Sequence, residues 1–164
     1  MNLSLKNVKR IVKRSILILL ILVVLIVICL YILKRFIFPL KYFDIIKEAS
    51  KNYNLDPYLV LSIIRAESGF NQSVTSAKQA KGLMQIIDST AEEMDDNESL
   101  LSDETDIYNE TTNITLGCKY LASLIKRYQG NYYLAIIAYN AGMGNVDKWI
   151  NEGILESNLD YCSD

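Results

Sequence analysis

The pattern of apolar and polar positions changes character near residue 40. Ser15 to Leu33 is a run of nineteen residues without a charge, and sixteen of them are Leu, Ile or Val. A run with no polar face cannot be one side of a soluble helix, and at 1.5 Å per residue it extends roughly 28 Å, close to the hydrocarbon thickness of a bilayer. It predicts a single membrane-spanning helix, drawn as residues 15–38, after a basic segment 1–14. At about 0.3 to 0.6 kcal/mol for each aliphatic residue, insertion is favoured by roughly 5 to 10 kcal/mol. Lys6, Lys9, Arg10, Lys13 and Arg14 precede the run with no acidic residue among them, whereas Lys34, Arg35 and Lys41 follow it. This bias places the N-terminus in the cytoplasm and the remainder outside. A cleaved signal peptide fits less well, because Tyr31 to Phe38 is bulky and basic where a cleavage site needs small residues. Ile28 before Cys29 likewise departs from a lipoprotein signal.

From residue 40 onward the apolar positions recur at helical spacing. Phe43, Ile46, Ala49 and Tyr53 mark a first helix over 40–53. Asp56 followed by Pro57 reads as an N-cap and first-turn proline, opening a second helix that runs to about Ser68 and stops at Gly69. Residues 70–87 mix small and polar groups and predict a loop or short irregular hairpin around Gly82. Ser89 with Glu92 resembles a capping box and starts a short helix near 89–94. Asp95 to Asp106 follows, six of its twelve residues Asp or Glu, and reads as a solvated surface loop. Ile114, Gly117, Leu121, Leu124 and Tyr128 define a core helix within 113–128, and 131–139 is again helix-compatible. No internal repeat appears, and no alternation long enough for a large sheet. The part beyond the anchor, residues 40–164, is expected to be one mainly α domain.

Charge separates the two parts further. The first forty residues carry +7; the outer part holds ten Lys or Arg against all nineteen Asp or Glu, a net charge of about −9. An acidic domain is a poor partner for nucleic acid. Outside the membrane only Cys118 and Cys162 could pair, which is not a disulfide framework.

Composition also narrows the chemistry. The chain has no histidine, which removes Ser-His-Asp and Cys-His nucleophile systems and histidine-bearing zinc motifs. The seven glycines form neither GxGxxG nor GxxxxGK. Neither a metal nor a cofactor is expected, and proton transfer falls to carboxylates, Lys or Tyr. Among the carboxylates Glu67 stands apart: it follows Val60, Ile63 and Ile64 at spacings that put it on their apolar face. A carboxyl directed into apolar surroundings holds its proton more tightly, which makes a general acid. Spacing alone leaves a second reading open, in which Glu67 pairs with Arg65 or caps the next segment.

The segment Glu67-Ser68-Gly69-Phe70, then Ser76, then Ala80-Lys81-Gly82-Leu83-Met84-Gln85-Ile86, then Ala138-Tyr139-Asn140-Ala141-Gly142, resembles the Slt-type lytic transglycosylases. Asn113, Ile114, Gly117, Tyr120 and Leu121 fall between these motifs in the same order, so the likeness covers roughly residues 40–150. The resemblance implies a lysozyme-like (goose-type-like) helical fold acting on peptidoglycan glycan strands. It further implies cleavage of the β-1,4 bond between N-acetylmuramic acid and N-acetylglucosamine without water. One glutamate, matched by Glu67, would act first as acid and then as base toward the muramoyl 6-hydroxyl, closing a 1,6-anhydro ring. Ordinary glycosidases use two carboxylates; the N-acetyl group of the sugar would replace the second. Ser76 matches a serine near that acetamido group and Gln85 a substrate-binding amide. Tyr139 and Asn140 match residues that close the cleft beside the acid, the phenol able to bond its carboxyl group, and Met84 is a further candidate for the cleft lining.

Some positions depart from the family pattern. Gln79 stands where the family often has glycine, and Ile87-Asp88 where it has methionine and proline. Residues 151–164 do not supply the Glu-Thr…Tyr-Val pattern that usually follows the tryptophan region. That departure keeps in view a catalytically inert, membrane-tethered glycan-binding or structural protein; a separate enzyme alternative is a muramidase that uses the same acid but adds water. The short connection Phe36–Leu40 would hold either enzyme close to the membrane.

Overall fold

The computed structural model describes residues 5–32, 40–95, 100–101, 103 and 106–157. The chain divides into two units, Met1–Lys41 and Tyr42–Asp164.

The first unit contains helix α1, Leu5–Ile32. Its stretch Val8–Ile32 is long and apolar enough to cross a membrane, and none of its most apolar window is buried. The basic start of this helix extends the regular structure upstream of the expected boundary at Ser15. Residues 33–38 of the expected span, and 36–39 of the short connection, lie outside the described residues.

The second unit is built from six α-helices among the described residues. A 3-10 turn, Leu40–Tyr42, leads into α2, Phe43–Asn52, which buries Ile46, Ala49 and Ser50. The helix stops where Asn54 turns left-handed at φ 54° and the Leu55 amide donates to the Ser50 carbonyl at 2.8 Å, a Schellman-type ending. α3, Pro57–Glu67, follows at once; the Asp56 carboxylate accepts from the Tyr58 amide at 2.7 Å and Pro57 occupies the first turn. Both features are those expected from the sequence.

α4, Asp88–Met94, lies where a short helix is expected but begins without the capping box: its N-cap is Ile87, with no side-chain cap bond. Asp88 instead accepts from the Lys81 ammonium at 2.8 and 2.9 Å, so a charge pair fixes this end. The acidic stretch is also not purely a solvated loop. Asp95 is 7% exposed, and its carboxylate accepts from the Leu100 and Leu101 amides at 2.9 to 3.1 Å. The other residues of that stretch up to Ser99, with Ser102, Glu104 and Thr105, lie outside the described residues.

After a 3-10 turn, Asp106–Tyr108, α5, Glu110–Arg127, is the longest helix of the unit, capped by Asn109. It carries Ile114, Leu116, Cys118, Leu121 and Leu124 fully buried, and α2, α4 and α6 all pack against it. Cys118 is thus a core residue, and Cys162 lies outside the described residues. α6, Tyr132–Ala141, is capped by Asn131, and Gly142 at φ 88° turns it directly into α7, Met143–Asn151.

The sequence pattern does not predict α7. It sits with Val146, Trp149 and Ile150 against Leu124, Leu134 and Ala138 in a second core cluster. Asp147 ties it to α5 by accepting from the Arg127 guanidinium and, at 3.0 Å, from the Tyr128 hydroxyl. The larger cluster, centred on Ile46, Val60, Ile64, Leu83, Met84 and Ile114, joins α2, α3 and α5 to the loop after α3.

Candidate active site

Glu67 is the last residue of α3, so its backbone is fixed by the buried turn that holds Val60, Ile63 and Ile64. The chain leaves the helix sharply. The Ser68 hydroxyl and amide both donate to the Ile64 carbonyl at 3.1 Å, and Gly69 and Phe70 take φ 58° and 68°. Phe70 folds back against the core, which leaves Glu67 half-buried at the wall of an open cavity of about 550 Å³.

The loop 74–86 supplies further lining residues of the cavity. It closes by isolated pairings of Thr75 with Lys81 and Lys81 with Ile86, and by a bond from the Gly82 amide to the Val74 carbonyl at 3.0 Å. What holds this irregular loop to the helical core is Asn113 of α5, which is fully buried. Its side-chain oxygen accepts from the Met84 amide at 2.7 Å, and its nitrogen donates to the carbonyls of Lys81 and Ile107 at 3.0 and 2.9 Å. One side chain thereby bonds three backbone groups: the Met84 amide, the Ile107 carbonyl and, beside the Ile86 amide at 3.1 Å, the Lys81 carbonyl. Gly82, at φ 78°, is required by this approach, because a Cβ there would overlap the Asn113 amide; a Cβ at Gly117 would likewise overlap Met84.

Four of the five residues expected beside Glu67 line the same cavity: Ser76, Gln85, Tyr139 and Asn140. The Ser76 hydroxyl oxygen accepts from the Ala80 amide at 3.1 Å. Gln85 sits at φ 50°, its amide nitrogen donating to the Gly82 carbonyl at 2.9 Å and the Val74 carbonyl at 3.3 Å. Met84 is different. Its side chain is 0% exposed and lies against Gly117, so it packs the core and does not face substrate. Its contribution is its carbonyl, which accepts from the Tyr139 hydroxyl at 2.8 Å. The phenol therefore directs its proton to Met84 and not to the Glu67 carboxyl as expected.

The residue that does bond Glu67 is Asn140. Burial raises the Glu67 carboxyl above its ordinary value, and the Asn140 hydrogen bond pulls it part of the way back. Arg65 is not among the causes of this shift. Burial, reinforced by the nearby Glu67 charge, pushes the Tyr139 phenol well above its usual range, so it stays a neutral donor. The Tyr120 ring packs on Tyr139 with centroids 5.3 Å apart. Tyr120, Thr90 and Lys78 also line the cavity. Helical spacing marks Tyr120 only as a neighbour of Leu121, and nothing in the local pattern marks Thr90 or Lys78. Among the described residues that line the cavity, Glu67 is the only carboxylate.

These features define a single-carboxylate cavity on a lysozyme-like helical fold. Residues 44–155 match the family described as the transglycosylase SLT domain, and the chain belongs to that family. It is 35% identical over 114 residues to a Haemophilus influenzae protein assigned as a soluble lytic murein transglycosylase, covering 69% of this chain and 19% of that protein. Its structure is similar to an inactive mutant of the lytic transglycosylase Slt of Pseudomonas aeruginosa, with TM-score 0.67, 31% identity and coverage of 74% of this chain and 20% of that one. It is also similar to the 70-kDa soluble lytic transglycosylase of Escherichia coli, with TM-score 0.64 and 31% identity over 71% of this chain and 19% of that one. The chain thus spans about a fifth of the length of these relatives.

Proposed function

We propose that the chain is a lytic transglycosylase anchored by α1 with its helical domain on the outer face of the membrane, and that it cleaves the N-acetylmuramic acid to N-acetylglucosamine bond of peptidoglycan without water. The observation that carries this is the lone carboxylate: a half-buried Glu67 with a raised proton affinity, bonded by Asn140, in a cavity with no other carboxylate among the described lining residues. A protonated Glu67 donates its proton to the glycosidic oxygen as the bond to the muramoyl anomeric carbon breaks. The acetamido oxygen of the same sugar bonds that carbon in its place, which makes a second protein carboxylate unnecessary. Glu67, now ionised, then takes the proton of the 6-hydroxyl, whose oxygen displaces the acetamido group and closes the anhydro ring. The proton inventory returns to its start.

Ser76 and Gln85 line the same cavity as Glu67 and are suited to orient the acetamido group and the ring, as polar groups in a binding site do. Asn140 sets the acid's position and tempers its proton affinity. Tyr139 acts through Met84, fixing the loop against α6. The test is digestion of isolated sacculi by the full chain in detergent: soluble muropeptides are released, and Glu67→Gln lowers the rate by about 10²- to 10⁴-fold, the range for loss of a general acid. Equal release by both proteins would remove Glu67 from the chemistry; no release by either would favour the inert glycan-binding alternative.

A further inference from the structure

The outer domain is strongly acidic, yet a cation lines its cavity. Lys78 is the only Lys or Arg among the described lining residues. It stands in a loop that is closed on itself. The Ser76 amide donates to the Ala80 carbonyl at 2.9 Å, the Gln79 amide to the Ser76 carbonyl at 3.0 Å, and the Ala80 amide to the Ser76 hydroxyl at 3.1 Å. Gln79 adopts φ 63° to complete the turn. These bonds close the loop around Ala77 and Lys78, which are both exposed and both line the cavity.

The nearby charges are otherwise engaged. Lys81 is held by Asp88 at 2.8 Å, and Lys78 makes no hydrogen bond or ion pair with any described residue. Nor does it pair with Glu67, whose proton affinity is set by burial and by Asn140. The cavity therefore holds a proton donor and, separate from it, an uncommitted positive charge. A neutral sugar ring uses the first and has no need of the second.

We propose that Lys78 is a substrate-selecting residue that binds a carboxylate carried on the lactyl substituent of the muramoyl sugar. This rests on the reading of the cavity as a glycan site. The carboxylate has two sources, a stem peptide or, where the peptide has been removed, the lactyl group itself. An ammonium in a domain whose overall field repels anions gives short-range selection for strands that bring their anion to this one point, because the wider field is screened within about 8 Å at physiological salt.

The test measures binding by the full chain in detergent micelles, with Glu67→Gln in every sample to prevent turnover. Three soluble glycan probes are compared: strands with free stem-peptide carboxylates, the same strands with those groups converted to carboxamides, and strands stripped of peptide by an amidase. Amidation is expected to weaken binding about fivefold, the upper range for a solvent-exposed ion pair. Lys78→Gln should weaken binding of the free-acid strands by the same factor and erase the discrimination, while Lys78→Arg keeps it. A loss confined to peptide-bearing strands assigns the stem peptide alone; a loss on stripped strands too shows that Lys78 also takes the lactyl carboxylate left when the peptide is removed. An unchanged free-acid to carboxamide ratio in Lys78→Gln, no discrimination by the lysine-bearing chain, or no binding of any probe overturns the proposal. Discrimination by a chain that releases nothing from sacculi would sink the proposed reaction and leave this site standing.

Discussion

Burial and Asn140 pull the proton equilibrium of Glu67 in opposite directions, and in the proposed reaction their balance would set the working pH. Burial raises the Glu67 carboxyl and the Asn140 bond lowers it. In the proposed reaction Glu67 must be protonated to donate, so kcat/KM should fall as pH rises through the Glu67 value. Asn140→Ala removes the group that favours the ionised form, so the alkaline limb should move to higher pH even as the maximal rate drops. A pH profile of muropeptide release checks this, and a limb that stays in place would detach Asn140 from the acid. The same shift has a consequence for stability. The folded state binds this proton more tightly than the unfolded chain, so the associated stability is present below the ordinary carboxyl value and is lost as pH rises through the raised one. Glu67→Gln should therefore unfold later than the parent in urea at pH 8 and at about the same denaturant concentration at pH 4. The fluorescence of Trp149, the single tryptophan, reports the transition.

At the scale of elements, the cavity exists because a loop with little regular pairing is bolted to α5 by one buried amide. Asn113→Ala takes the side-chain partner from the Met84 amide and the Ile107 carbonyl and one of two donors from the Lys81 carbonyl, and should cost about 3 kcal/mol, a large share of the stability of a small domain. Faster hydrogen exchange at the Met84 amide would show where the cost falls; unchanged exchange there would contradict the role given to Asn113. The helices α2, α3, α5 and α6 were legible in the chain because apolar periodicity and caps such as Asp56-Pro57 are local signals. The contacts that organise the site are not local. Asn113 reads as one more polar residue near a helix start, and its three partners lie six to thirty-two positions away. Met84 reads as a cleft residue by its place in a motif, yet the small Gly117 on α5 makes the room that draws its side chain into the core. Ser89 and Glu92 have capping-box spacing, but the pull of Lys81 on Asp88 starts the helix one residue earlier. α7 is short, and its apolar positions become meaningful only once Leu124 and Ala138 are beside them.

For the whole molecule, the proposed anchoring rests on the sharp separation of a basic, apolar leading segment from an acidic domain. If α1 spans the bilayer, alkaline carbonate should leave the chain in the membrane fraction. Glu156→Cys, at an exposed position, should react in intact spheroplasts with a thiol reagent that cannot cross the membrane. Protection of that cysteine until the cells are opened would reverse the proposed orientation. The most direct test of the chemistry is the mass of the muramoyl product formed from purified sacculi in water enriched in oxygen-18. Transfer to the sugar's own 6-hydroxyl predicts anhydro-muramoyl ends, lighter than the hydrated sugar by one water and free of the heavy isotope. Muramoyl ends that carry oxygen-18 at the anomeric position would show that water, and not the substrate, completes the reaction.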